Sequence, residues 1–223
     1  VSGTTVGTAE QAWRSVAPWY EAILAHPFVA GLRDATLPPE AFVRYLVDDA
    51  HYLERYARVL ARLAEQAPDA EAVALLASAA AGAVAAERSL HTGELADRGV
   101  VVDDREPSPT CRAYTGFLAE AAAREPFEVG LAAVLPCFRV YAEVGRTVHA
   151  GRPAGAHPYA AWIETYADPA FDAAVDAVER LLDRVAPGPS DAVLRAYGTA
   201  TRFEWMFWDA AWRGESWPEP AGS

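Results

Sequence analysis

Residues 40–66 read EAFVRYLVDDAHYLERYARVLARLAEQ. The large apolar residues fall at Phe42, Tyr45/Leu46, Tyr52/Leu53, Tyr56, Val59/Leu60 and Leu63. Steps of three and four gather them on one face of a helix and would scatter them over both faces of a strand. Leu37-Pro38-Pro39 stands just before them, and proline suits a first helical turn, where its missing N–H has no partner to lose. The stretch predicts a helix from Glu40 to about Gln66. Outward from it the same spacing recurs in both directions, while alternating runs of Val, Ile and Thr are nearly absent. The fold class that follows is all-α.

Toward the start of the chain, a helix is expected from near Thr8 to about His26, kinked or split by Pro18 and stopped by Pro27. Toward the other end, a helix runs from about Asp69 to Arg98, closed by Gly99, and a loop covers Val100 to Pro109. Helices follow over Thr110 to Arg124 and Phe127 to about Ala150, with the turn Gly151 to Pro158 behind them. A short helix then spans Tyr159 to Tyr166, a longer one Pro169 to about Val185 with Asp168 as N-cap, and the last Asp191 to about Arg213. No internal repeat or low-complexity linker divides the chain, so 1–223 reads as a single domain with loose tails at 1–7 and 215–223.

A chain of 223 residues, 52% hydrophobic and 22% charged, can fill one core and is not a disordered sequence. All 19 basic side chains are arginine, and against 31 acids they leave a net charge of -12. That sign opposes nucleic acids and anionic membranes and favours a small neutral or cationic ligand. Two cysteines, Cys111 and Cys137, and no charged-then-apolar leader point to the cytoplasm. The apolar run 72–86 is shorter than the roughly 20 residues needed to cross a bilayer.

Chemistry enters where polar residues interrupt the apolar stripes. Asp49 takes a core position in 40–66, where a carboxylate costs several kcal/mol unless paired or hydrogen-bonded. Taken alone, a structural hydrogen bond to a facing Tyr or Trp accounts for it more readily than a functional role does. In the next helix the stripe Val73, Leu76, Ala80, Val84, Glu87, His91, Leu95 sets Glu87 and His91 one turn apart, a buried ion pair or two of the ligands a metal needs. The stripe after Pro126 holds Cys137 and Tyr141 on one face, with Pro136 removing a backbone donor just before the thiol. Such a cysteine is either a small core hydrophobe or part of a pocket wall. In the last helix Glu204 interrupts a stripe rich in Phe and Trp. Three helices each offering one reactive group, Asp49, Cys137 and Glu204, suggest one aromatic-lined pocket suited to a flat heteroaromatic ligand.

Ordered motifs along nearly the whole chain carry a resemblance. They include His26-Pro27-Phe28-Val29, Thr36-Leu37-Pro38, Asp49-x-x-Tyr52-Leu53, Glu87-x-x-x-His91 and Pro107-Ser108-Pro109-Thr110 with Tyr114-Thr115. Further on come Leu135-Pro136-Cys137 with Tyr141-x-Glu143-Val144-Gly145, Trp162-Ile163-x-Thr165-Tyr166 and Glu204-x-x-Phe207-Trp208. The sequence resembles the TenA family of aminopyrimidine hydrolases, or thiaminase II, in its cysteine-containing branch. The resemblance implies a haem-oxygenase-like helical bundle, commonly a homotetramer. Its implied activity is hydrolysis of the bond between a pyrimidine methylene and its leaving amine, in aminomethyl-pyrimidine or thiamin, returning hydroxymethyl-pyrimidine to thiamin synthesis without metal or cofactor.

By motif, the resemblance implies Cys137 as nucleophile and Glu204 as proton donor and acceptor. Asp49 would bind the amino edge of the ring, Tyr52, Tyr114, Tyr141 and Tyr166 would shape the pocket, and Phe207 would pack against the ring. Two residues depart from the family pattern, Asp48 where Gln is usual and Arg139 where Trp is common. Either they pair beside the pocket and adjust its leaving-group end, or both face solvent or a subunit contact. The fold also hosts haem oxygenases and di-iron oxidases, but His26 sits at a helix end before a proline and the last helix offers no histidine ligand. A pyrimidine- or thiamin-binding regulator without turnover is the remaining alternative.

Overall fold

The computed structural model describes residues 6–93, 95, 99–102 and 105–219, with the side chains of Glu87, Leu90, His91 and Thr92 outside that description. Ten helices and no strand occur among the described residues: α1 (Thr8–Ser15), α2 (Ala17–Leu24), α3 (Pro27–Arg33), α4 (Pro39–Gln66), α5 (Ala70–Thr92), α6 (Pro109–Arg124), α7 (Phe127–Gly151), α8 (Ala160–Tyr166), α9 (Pro169–Val185) and α10 (Asp191–Arg213). The all-α expectation holds.

Proline decides most of the boundaries. Pro18 lies in the first turn of α2, so the expected single helix over 8–26 is split at Val16. Pro27 ends that run and also begins α3, a helix in addition to those expected from the spacing. His26 is its N-cap, with Nδ1 accepting from Phe28 N at 3.1 Å, and Pro27 occupies the first turn. Helix α5 stops at Thr92 with Gly93 as its C-cap, six residues short of the expected end. Pro136, by contrast, sits inside an unbroken α7. Tyr56 Oη donates to the Val134 carbonyl at 2.8 Å, giving that turn a side-chain partner from α4.

Helix α7 runs through the middle, buried continuously from Val129 to Pro136, and packs against α10, α9, α8 and α6, while α5 lies mainly along α4. The α7–α8 approach is set by Gly145: a Cβ there would stand 2.5 Å from the Tyr166 carbonyl oxygen, so only glycine lets α8 lie this close. The inward face of α5 differs from the expected stripe. Ala72, Leu76 and Ala83 are buried, whereas Val73 and Val84 are 41% and 38% exposed, which turns the helix by about one residue from the Val73–Val84 line.

The end of the chain is anchored rather than loose as far as Trp217. Gly214 adopts the left-handed conformation (φ 68°) that closes α10, and Arg44 Nε donates to the Ala211 carbonyl at 2.8 Å. Beyond it Glu215 Oε2 accepts from Thr110 N at 2.9 Å and Trp217 Nε1 donates to the Pro107 carbonyl at 2.9 Å, strapping the tail across the start of α6. No helix among the described residues is long and apolar enough to cross a membrane.

Candidate active site

Asp49, Cys137, Tyr141 and Tyr166 meet on one cavity of about 330 Å³ enclosed by α4, α5, α7, α8 and α9. Helix α7 brings Cys137 and Tyr141 to it one turn apart. Cys137 is partly exposed, and the cavity is the space it is exposed to. Asp49 is 4% exposed, with Oδ2 3.4 Å from the Tyr45 hydroxyl.

Glu204, Tyr52, Tyr114 and Phe207 stand a layer deeper. Glu204, only 1% exposed on α10, accepts a 2.6 Å hydrogen bond at Oε1 from the Tyr114 hydroxyl on α6. Tyr52 stacks beside Tyr56 (5.2 Å between ring centres) and meets Phe207 edge-on at 5.7 Å. Its hydroxyl is buried without a hydrogen-bond partner of ordinary geometry, yet lies near enough to Cys137 to favour the thiolate. An orphaned buried hydroxyl beside a thiol is the kind of donor a ligand completes.

Burial dominates the electrostatics. It pushes the Glu204 carboxyl up to about 8, against the Tyr114 hydrogen bond that favours the anion and with added repulsion from Asp49. Asp49 rises to about 7, mainly by burial, opposed by Tyr45 and reinforced by the charge of Asp48. Burial and then the Glu204 charge push the Cys137 thiol well above its ordinary value, with the Tyr52 and Tyr56 hydroxyls acting the other way. Burial thus disfavours the charged form of all three groups, and because each feels the charge of another they titrate as an interacting set.

Three aromatic residues at or beside the cavity, Tyr45, Tyr56 and Trp162, stand in the stripes and motifs of the sequence without being assigned a role in the site there. Tyr45 is the hub: it stacks on Trp208 (5.1 Å, 12°), accepts from Trp162 Nε1 at 3.1 Å, and has Asp49 Oδ2 and Tyr141 Oη each 3.4 Å from its hydroxyl. Its i, i+4 relation to Asp49 was the available signal, as Tyr52 to Tyr56 was for the second. Trp162, the third, carried the same signal, four residues before Tyr166, and its ring centre lies 4.7 Å from that of Tyr166.

The pairing of Asp48 with Arg139 is not found. Asp48 Oδ1 accepts from Ser108 N at 2.8 Å, holding the start of α6. Arg139 faces the other way, on Glu179 and Glu143 (3.0 Å each) with its guanidinium 5.0 Å from the Trp13 ring centre. Neither lines the cavity, and neither faces solvent freely. The side chains of Glu87 and His91 lie outside the described residues. Among the described residues no group of three or more His, Cys, Asp or Glu side chains is placed to hold a metal ion.

This helical arrangement is a haem-oxygenase-like fold: a domain of unknown function with that fold from Shewanella denitrificans matches with a TM-score of 0.74 at 15% identity, over 94% of each chain. A TenA homologue from P. horikoshii OT3 superposes with a TM-score of 0.85 at 28% identity, covering 94% of this chain and 100% of that one. Residues 13–214 match the TENA/THI-4/PQQC family model, and the chain belongs to that family. An aminopyrimidine aminohydrolase from Bacillus subtilis is 32% identical over 222 residues, 96% of this chain and 93% of the relative. The thiamine biosynthesis multifunctional protein ThiED of Corynebacterium efficiens is 37% identical over 209 residues, and the match spans 90% of this chain but only 28% of that longer protein.

Proposed function

We propose that the protein hydrolyses the C–N bond between a pyrimidine methylene and its leaving amine, forming hydroxymethyl-pyrimidine for thiamin salvage. The observation that carries this reading is the shared cavity of Cys137 and Asp49, with Glu204 held by Tyr114 directly behind. Relatives named aminopyrimidine aminohydrolase support it over nearly the full chain.

In this reading the ring lies among Tyr141, Tyr166 and the Cys137 wall, with its amino edge on Asp49. Sulfur bonds to an electron-poor ring carbon while the thiol proton passes to a ring nitrogen at Asp49. With aminomethyl-pyrimidine the electron pair displaced in the ring expels the amine, which takes the proton of Glu204 as it leaves. Water then adds to the exocyclic carbon and gives its proton to Glu204, and the C–S bond breaks as the ring proton returns to sulfur. Amine and water exchange, and every group ends as it began. A carboxyl near 8 suits both halves of this cycle, since it is a good acid near neutrality and regains its proton readily. The otherwise unpartnered Tyr52 hydroxyl stabilises the negative charge that develops on the departing sulfur, and Phe207 supports the stack.

The same reading takes 1–223 as one domain acting in the cytoplasm as a homotetramer, without metal or cofactor; its support for these points is the family resemblance. The test is a product assay on aminomethyl-pyrimidine and thiamin beside Cys137→Ser, which should lose at least about two orders of magnitude in turnover while still binding hydroxymethyl-pyrimidine. Full activity in that variant overturns the nucleophile, and binding without turnover in the wild type points to a regulator.

A further inference from the structure

The cavity has two kinds of wall. Helices α4, α7 and α8 give it Asp49, Cys137, Tyr141 and Tyr166, whereas α5 and α9, apart from Ser78, line it with small or apolar side chains such as Ala83, Phe171 and Val178. Positions 75, 78, 79, 82, 83 and 86 of α5 all border the space. At 100° per residue they fall in an arc of about 140°, with Gly82 near its middle; Ser78, Gly82 and Ala86 are exposed, so this side of α5 forms the mouth of the cavity. Glycine is a poor residue for the interior of a 23-residue helix. No neighbour requires it here, because a Cβ on Gly82 would meet nothing within 4 Å. What the glycine preserves is open volume at the mouth of the cavity that Cys137 also lines.

We infer that Gly82 is a specificity-determining residue: the chamber between α5 and α9 receives the substituent carried by the leaving amine, and glycine keeps it open to a flat, largely apolar group as large as a second ring. The inference rests on the proposed reading of the Asp49–Cys137 wall as the pyrimidine subsite. A leaving amine with no substituent needs none of this chamber, while a ring-bearing one needs most of it. Filling the chamber therefore discriminates between the two.

The experiment compares wild type, Gly82→Ala and Gly82→Leu on aminomethyl-pyrimidine, which releases bare ammonia, and on thiamin, which releases a ring. Gly82→Leu should lower kcat/KM for thiamin at least about 30-fold and that for aminomethyl-pyrimidine less than about threefold, since a few methylenes in a pocket are worth 10- to 200-fold. Gly82→Ala should raise Tm and change both values less than about threefold. Ser78→Leu, one turn earlier on the same arc, repeats the test should Gly82→Leu fold poorly. Equal losses on both substrates, or undiminished thiamin turnover, overturn the inference.

Dissociation constants for thiamin and hydroxymethyl-pyrimidine, measured alongside, separate this inference from the activity. A wild type that turns over neither substrate sinks the proposed function, and the ratio of the two constants in wild type and Gly82→Leu still decides the role of Gly82. Thiamin that fails to bind the wild type counts against the chamber.

Discussion

Glu204→Gln should make the protein less sensitive to alkali as well as inactive. The carboxyl ionises at about 8 in the fold and 4.5 in the open chain. Between those values the unfolded state gives up the proton and the folded state keeps it, so the folded state binds more protons and stability falls as pH rises. A gap of more than three pH units, at 1.36 kcal/mol each, amounts to roughly 4–5 kcal/mol removed from the fold by pH 8. Glutamine keeps an acceptor for the Tyr114 hydroxyl but brings an amide whose unmet donors cost about 1–3 kcal/mol at every pH.

The two stability curves must therefore cross. At pH 5 the variant should be slightly less stable than wild type, and at pH 8 more stable by roughly 2–3 kcal/mol. Urea titrations at pH 5, 6, 7 and 8 with linear extrapolation resolve a change of that size. Curves that stay parallel within about 1 kcal/mol would refute the reasoning, for they would mean that Glu204 already carries its charge in the folded protein.

Tyr114→Phe removes the hydrogen bond that favours the Glu204 anion, so the alkaline limb of the kcat/KM–pH profile should move upward from about 8 by roughly one pH unit or more; an unmoved limb would separate Glu204 from the proton transfer. Gly145→Ala sets a Cβ against the Tyr166 carbonyl and should cost roughly 1–3 kcal/mol in denaturant melts while raising KM through displaced Tyr166; wild-type KM and stability would show that α8 has slack. Trp217→Ala should free the strap over α6, lower Tm by a few degrees and speed proteolysis of the tail, and unchanged cleavage kinetics would contradict the docking. Incubation with EDTA should leave turnover on aminomethyl-pyrimidine unchanged, and chelator-sensitive activity would return the oxidase alternative to consideration.

What the sequence disclosed follows the contrast between its side chains. In α4 and α10, bulky apolar residues stand against charged ones, and the acids that break their stripes, Asp49 and Glu204, are buried where the pattern placed them. Alanine fills ten of the 23 positions of α5 and is equally at ease inside and outside, so the pattern has little phase to read and Val73 and Val84 drew the stripe to the wrong side. Helix α3 was hidden because proline is both a stop and a start, and only the His26 cap distinguishes the two. Ser108, the partner of Asp48, and Glu179, one of the two partners of Arg139, come from 60 and 40 positions away, separations at which no helical period operates. Only Glu143, four residues on from Arg139, was within reach of the pattern.

The deeper regularity lies in how burial is distributed at the site. A buried carboxyl with a single strong hydrogen bond weakens a fold, and a hydrophobic residue in place of Glu204 would remove that cost. The surrounding structure is arranged to hold the acid there nonetheless. Asp48, Glu215 and Trp217 fix the start of α6 from three directions, and α6 carries Tyr114 to within 2.6 Å of Glu204. Tyr45, in turn, is locked by Trp162 and Trp208 so that its hydroxyl stays beside Asp49. Stability given up at two carboxyls is offset by the aromatic stack around them, and the departure of both groups from ordinary acidity is what the proposed proton transfer would draw on.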